Sequence, residues 1–289
     1  MHGGGSMNSV IAIGTVPWTR EEMRDSLAEF RTIYDGRPIA DNSGGMKSPH
    51  MFLTWFVLKK LKPKAIVESG VWFGQGTWLF EQACPDAELH CIDPNLNRIQ
   101  YRSKKAKYYD RDFSTIDWSH LPKKKETVLF FDDHQNAYER VKTAGWFGFT
   151  HLLMEDNYPP SQGDCYSLKK IFMHSGFTPG TGTSAQSRVK EKIGNLLGIR
   201  GSNQDHISPN DIDEKYLRQN VAVYCEMPPV FKTARTRWRD LWDDENYPTP
   251  APLLTSVEKE YHRIFLDEAD SYTWICYVKL KSRQPEPCP

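Results

Sequence analysis

The chain has 289 residues, 37 basic and 37 acidic, and so a formal net charge of zero. A nucleic-acid binder ordinarily carries a basic surplus to neutralise phosphates, and none exists here. With 39% hydrophobic and 12% aromatic residues, the sequence is too apolar for a disordered chain and long enough for one elaborated domain.

Residues 1–6, Met1-His2-Gly3-Gly4-Gly5-Ser6, read as a cloning remnant and stand outside the fold. No basic start followed by a long apolar stretch comes after them, so no signal peptide is expected. The most apolar early run, Met51 to Leu58, is far shorter than the roughly 20 residues that span a bilayer. Six cysteines lie scattered without CxxC pairs, which fits neither a zinc site nor a disulfide framework. The expectation is a cytoplasmic protein with reduced, mostly structural cysteines, no membrane partner and no nucleic-acid partner.

Thr19 to Tyr34 predicts a helix, with Thr19 as cap and Met23, Leu27, Phe30 and Ile33 at helical spacing. A loop rich in Gly, Asn and Asp follows, Gly36 to Ser48, and then a second apolar helix, Pro49 to Leu61. Residues 7–62 read as an N-terminal helical cap, and residues 63–289 as the main domain. There, short apolar runs alternate with helical patterns. Ala65 to Glu68 precedes a glycine turn and a helix from Gly76 to Ala83. Leu89 to Asp93 precedes a helix through Tyr101. Thr127 to Asp132 precedes one over Ala137 to Ala144, and His151 to Glu155 one over Ser167 to His174. Strands alternating with helices imply right-handed crossovers and a parallel sheet covered on both faces. Two last strands, Val221 to Cys225 and Tyr272 to Leu280, have no evident crossover. The predicted fold is α/β: a Rossmann-like, doubly wound, mostly parallel seven-stranded sheet with an antiparallel C-terminal edge. Two insertions, at about 178–210 and 228–270, are long enough to be lids or binding loops.

The glycine turn carries the first functional signal. Glu68-Ser69-Gly70-Val71-Trp72-Phe73-Gly74 is neither GxGxxG nor GxxxxGK[ST]. A carboxylate just before the first glycine would repel a pyrophosphate but suits a cationic amino group. The segment resembles motif I of the class I S-adenosylmethionine-dependent methyltransferases. That resemblance implies that Glu68, Gly70 and Gly74 wrap the methionine part of the cofactor and that Asp93 takes the ribose hydroxyls. It places Asp112 and Phe113 by the adenine.

A second signal is the density of acids at two strand ends, Asp132-Asp133-His134 and Glu155-Asp156. In an open parallel sheet, ligands bind beyond the carboxyl ends of the strands. Like charges brought together there call for a cation, and oxygen donors suit magnesium or manganese. Single acids at such places also serve as helix caps. The pattern is similar to the metal-dependent sugar O-methyltransferases and the related cephalosporin-hydroxylase-like family, over about residues 40 to 175. This narrower resemblance implies Glu155, Asp156 and Asp132 or Asp133 as metal ligands. It departs from the family in that His134, the candidate general base, follows the aspartates directly, with a mere orienting role as its alternative.

The expected activity is methyl transfer to a hydroxyl of a small polyhydroxylated acceptor, a sugar or glycoside. Catechol or phenol methylation is the alternative, and a non-catalytic binding protein of the same fold is a third reading. Self-association is left open. Asp41 to Met46 could close over the cofactor or be a plain turn. Arg188, Lys190 and Lys192, and Arg235, Arg237 and Arg239 around Trp238, could grip an acceptor or be solvated surface.

Overall fold

A computed structural model describes residues 9–179 and 206–282. Eight strands form one sheet: β1 Ala12–Ile13, β2 Ala65–Ser69, β3 Glu88–Ile92, β4 Lys107–Tyr109, β5 Thr127–Phe131, β6 His151–Met154, β7 Val221–Glu226 and β8 Cys276–Leu280. Their spatial order is β1-β7-β8-β6-β5-β2-β3-β4. Strands β2 to β6 are mutually parallel; β8 runs antiparallel to both β6 and β7, and β1 pairs antiparallel with β7. The mostly parallel sheet with an antiparallel edge is the predicted one, with the two-residue β1 added outside it. β2 and β5 are buried along their whole length, as an apolar run covered on both faces must be.

Seven described helices surround the sheet: α1 Arg20–Asp35, α2 Ser48–Leu61, α3 Gln75–Ala83, α4 Ala137–Phe147, α5 Leu168–Phe172, α6 Asp211–Asn220 and α7 Arg263–Asp267. Thr19 caps α1 reciprocally with Glu22, the two contacts measuring 2.8 and 3.1 Å. α2 is buried from Ser48 to Leu58 on all sides, the environment its unbroken apolar sequence requires. Phe52, Trp55 and Phe56 of α2 share one core with Leu79 of α3 and Phe130 of β5. A second core on the other sheet face joins Val141 of α4, Ile171 of α5 and Leu217 of α6. The 228–270 insertion is tied to α1, where Arg24 Nε donates to the Leu253 carbonyl at 2.7 Å. It adds Phe265 to the first core.

Several boundaries move. The helix expected after Asp93 is a single 3-10 turn, Leu96–Arg98, because the Asp93 carboxylate draws the Asn95 N–H and Arg98 back towards the strand end. Tyr272 to Ile275 lead into β8 without joining it, and Trp274 is left-handed at φ 60. β4 and α6 have no counterpart in the sequence reading. Of the 178–210 insertion, residues 180–205, with Arg188, Lys190 and Lys192, lie outside the described residues. The five described cysteines form no disulfide. Among the described residues no helix is long and apolar enough to cross a membrane.

Candidate active site

The ends of β2, β3, β5 and β6 meet around the glycine turn. Gly70 and Gly74 are both left-handed, at φ 96 and 95. Each is required by the close approach of another backbone: a Cβ on Gly70 would overlap the Asp132 carbonyl, and one on Gly74 the Tyr101 carbonyl. The turn is pressed against the end of β5, where the first acids sit. Trp72 covers it, its indole Nε1 donating to the Ser43 carbonyl at 3.0 Å. The loop of residues 41–46 rests on the turn and is closed on itself by Asn42 Nδ2 donating to the Met46 carbonyl at 2.9 Å.

Glu68 lies beneath this turn rather than on its surface. Its carboxyl is 1% exposed and accepts from the Thr77 hydroxyl. Burial pushes it up to about 8 from an ordinary 4.5, against the opposing pull of Thr77 and Cys91. A carboxyl raised by folding adds stability that is complete below the unfolded value, near 4.5, and lost as pH rises through 8. Glu68→Gln keeps the shape and abolishes the titration. The variant should match wild type in urea midpoint at pH 4.5 and exceed it by at least about 1 kcal/mol at pH 8. Parallel midpoints across that range would show that Glu68 is ionised in the folded protein.

Asp93 is fully buried at the end of β3. It accepts the N–H groups of Val71 at 3.1 Å, Trp72 at 3.0 Å and Asn95 at 2.8 Å, and Arg98 Nη2 at 2.9 Å. The carboxylate joins strand end and turn, and a ribose diol reaching it would take the place of Arg98, whose guanidinium stacks on Trp72 at 4.3 Å. Asp112 is paired with Arg140 at 2.6 Å. Burial opposes its charge, but Arg140 and Ser114 hold it well below the ordinary carboxylate range. Phe113 is fully buried in the second core, edge-on to Phe131.

The acids divide into two groups. Asp132, His134 and Asp156 present ligand atoms that all lie within 4.8 Å of one another. Asp133 turns instead to Arg140 at 2.8 Å and accepts the Ser69 hydroxyl at 2.6 Å. Glu155 faces the helical layer, where His50 Nδ1 of α2 lies 2.8 Å from its Oε1. Burial, compounded by the neighbouring acids, pushes Asp132 well up; burial and Glu155 push Asp156 up against the opposing charge of His134. Asp156 and Asp164 raise His134 in turn. His134 is left-handed at φ 53, and its Nδ1 sits 2.9 Å from Asp164. Strain of this kind persists where surrounding contacts impose it.

The donors fit a hard divalent cation. Asp156 is 8% exposed, and its carboxylate has only the His134 ring at 3.5 Å and the neighbouring Glu155 carboxyl to answer it, a costly arrangement for a buried acid. Carboxylate oxygen donors match magnesium or manganese. Two participants escaped the sequence reading. Asp164 lies in an irregular loop with no periodicity to flag it. His50 sits inside an apolar helix, where a lone histidine signals only that some buried partner must answer it.

No family model and no curated protein matches the chain. Solved structures do. CmcI, in a form described with magnesium and S-adenosylmethionine, is 24% identical over 42% of this chain and 59% of its own, with a TM-score of 0.33. The chain thus spans about three fifths of CmcI's length. The O-methyltransferase TomG from Streptomyces achromogenes is 12% identical, over 62% of this chain and 78% of its own, with a TM-score of 0.36. The plantazolicin methyltransferase BpumL is 13% identical, over 92% of this chain and all of its own, with a TM-score of 0.40. By its own sheet order, mostly parallel with an antiparallel edge, and the glycine turn at the end of β2, the chain has a Rossmann-like fold.

Proposed function

We propose that the protein is an S-adenosylmethionine-dependent O-methyltransferase, assisted by a divalent cation, whose acceptor is a hydroxyl of a small polyhydroxylated molecule, a sugar or glycoside. One observation carries the reading: Gly70 of the cofactor turn abuts the backbone of Asp132, so a cofactor in the turn and a cation on Asp132 and Asp156 would be neighbours.

The sulfonium supplies an activated methyl group, so the protein's task is to orient and deprotonate an alcohol. Asp132 and Asp156, with Glu155 beside them, would hold the cation, which when bound lowers the pKa of a coordinated hydroxyl. His134, whose Nδ1 lies 2.9 Å from Asp164, would take the acceptor's proton as the oxygen–methyl bond forms and the sulfur–methyl bond breaks. The charges that hold a proton on His134 are chiefly those of Asp156 and Asp164. Neutralising Asp156 removes the larger of the two pulls. Glu68 acts from below, by supporting Thr77 and the start of α3.

Calorimetry with S-adenosylmethionine tests the class, and absence of binding at millimolar ligand would defeat it. With the true acceptor, turnover should fall after EDTA treatment and return with magnesium. Asp156→Asn should weaken magnesium binding at least about 100-fold, since it removes a charged ligand from a site of few. Full turnover after thorough chelation would remove the cation from the mechanism.

A further inference from the structure

The 228–270 insertion brings a positive charge to the acids. A tight hairpin is pinned by a bridge between Arg235 and Leu241, by Thr236 N–H donating to the Asp240 carbonyl at 2.9 Å, and by Arg239 N–H donating to the Thr236 carbonyl at 2.9 Å. Thr236 is buried and its hydroxyl accepts the Trp238 N–H at 3.3 Å, so the tip between them is held in one course. Trp238 packs on Tyr158, ring centroids 5.9 Å apart. Tyr158 is fully buried two residues beyond Asp156. The hairpin thereby holds Arg237 beside this anchor, with its guanidinium 5.7 Å from the Trp238 ring.

Arg237 differs from the other arginines. Among the described residues, each other arginine withdrawn from solvent has an acceptor: Arg31 with Asp35, Arg37 with the Tyr34 carbonyl, Arg98 with Asp93, and Arg140 with Asp112 and Asp133. Arg237 is half-buried and has neither a side-chain hydrogen bond nor a carboxylate oxygen within 4.0 Å. Its charge is nevertheless felt at Asp132, Glu155 and Tyr158. It is drawn to the acids without forming an ion pair with any of them. A guanidinium cannot shed its proton to relieve this, and its five donors match planar or tetrahedral oxyanions.

The acids already have their own counter-charges. Glu155 is answered by His50, Asp156 by His134 at 3.5 Å, and Asp132 by the charge of the same His134 and, in the proposed function, by a divalent cation that it shares with Asp156. With that cation bound, Arg237 is positive charge beyond what the acids require, fixed beside an aromatic ring. We propose that Arg237 is an anion hook of the acceptor site, and that the acceptor is a hydroxylated ring bearing a carboxylate or phosphate group. This inference rests on the methyltransferase reading. The acids handle the hydroxyls, and the guanidinium fixes the ring's orientation through its charged substituent.

Binding of three probes, glucose, glucuronate and glucose 6-phosphate, would be measured by calorimetry on the full chain with magnesium and S-adenosylhomocysteine. Binding of S-adenosylhomocysteine is read first, and its absence defeats the methyltransferase reading by itself. Given that binding, wild type should hold one of the anionic sugars at least about ten-fold tighter than glucose, and which one distinguishes carboxylate from phosphate. Arg237→Gln should reduce that preference to about two-fold or less, while Arg237→Lys, which keeps the charge but loses the fork, should retain part of it. S-adenosylhomocysteine binding should be unchanged in both variants. Equal binding of all three sugars by wild type, or an undiminished preference in Arg237→Gln, would overturn the proposal. So would Arg237→Gln tightening magnesium more than about ten-fold with the anion preference intact, since that would make Arg237 an internal counter-ion.

Discussion

Gly70→Ala should destabilise the protein by about 3 kcal/mol or more and abolish S-adenosylmethionine binding, read as a large drop in urea midpoint and a flat calorimetric trace. Two costs combine. The backbone at φ 96 disfavours any residue with a Cβ, and the new atom would overlap the Asp132 carbonyl oxygen and lie 2.5 Å from its carbon. Neither atom can retreat freely. The Asp132 N–H donates to the Ser69 carbonyl at 2.8 Å, and Ser69 is in register with Phe131, so the ends of β2 and β5 are fixed to each other. Gly148→Ala is the control. Its φ of 88 is just as left-handed, but the nearest atom to a new Cβ is Lys124 Cδ at 3.9 Å. That variant should lose only the conformational cost, about 1 kcal/mol. Equal losses in the two variants would mean that the approach of Gly70 to Asp132 matters little, and the link between cofactor turn and acids would fail with it.

The sheet was legible because its central strands, Ala65 to Ser69 and Thr127 to Phe131, are buried on both faces and so read as continuous apolar runs ending in turn residues. β4 is Lys107-Tyr108-Tyr109 at an edge, half-exposed and short, and carries no such signature. β1 exists only because Ala12 and Ile13 find Cys225 and Tyr224 across a very long loop, a pairing no local pattern encodes. At the site, residue types were readable and directions were not. Asp132 and Asp133 are indistinguishable in sequence; it is Arg140, one turn into α4, that draws Asp133 aside. Phe113 reads as a ring beside a ligand, and the apolar environment of Trp118 and Phe149 takes it into the core instead. Arg237 was one of three alternating arginines, and only the hairpin separates it from Arg235, whose Nη1 donates to the Arg239 carbonyl at 2.8 Å.

His50→Leu should cost about 3–5 kcal/mol in urea unfolding in EDTA, the range for removing one partner of a buried ion pair. His50 is 1% exposed, its Nε2 in hydrogen-bond contact with Thr273 and its Nδ1 in ion-pair contact with Glu155. The Thr273 hydroxyl donates to the Glu155 backbone carbonyl at 2.9 Å, so in its 3.0 Å contact with His50 Nε2 it can only accept. Nε2 is therefore the donor, and Nδ1 faces the Glu155 carboxylate 2.8 Å away. Leucine fills the space but leaves Glu155 uncompensated beside Asp132 and Asp156. His50→Gln, which can still donate to the carboxylate, should lose less. Magnesium then separates two explanations of the same loss. If these acids bind a cation, a concentration 100-fold above its dissociation constant adds about 2.7 kcal/mol to the folded state, and the His50→Leu midpoint should climb back accordingly. If the midpoint in millimolar magnesium equals that in EDTA, for wild type and variant alike, the acids are a structural cluster held together by histidines. The fold would stand unchanged, and the cation-assisted mechanism would not.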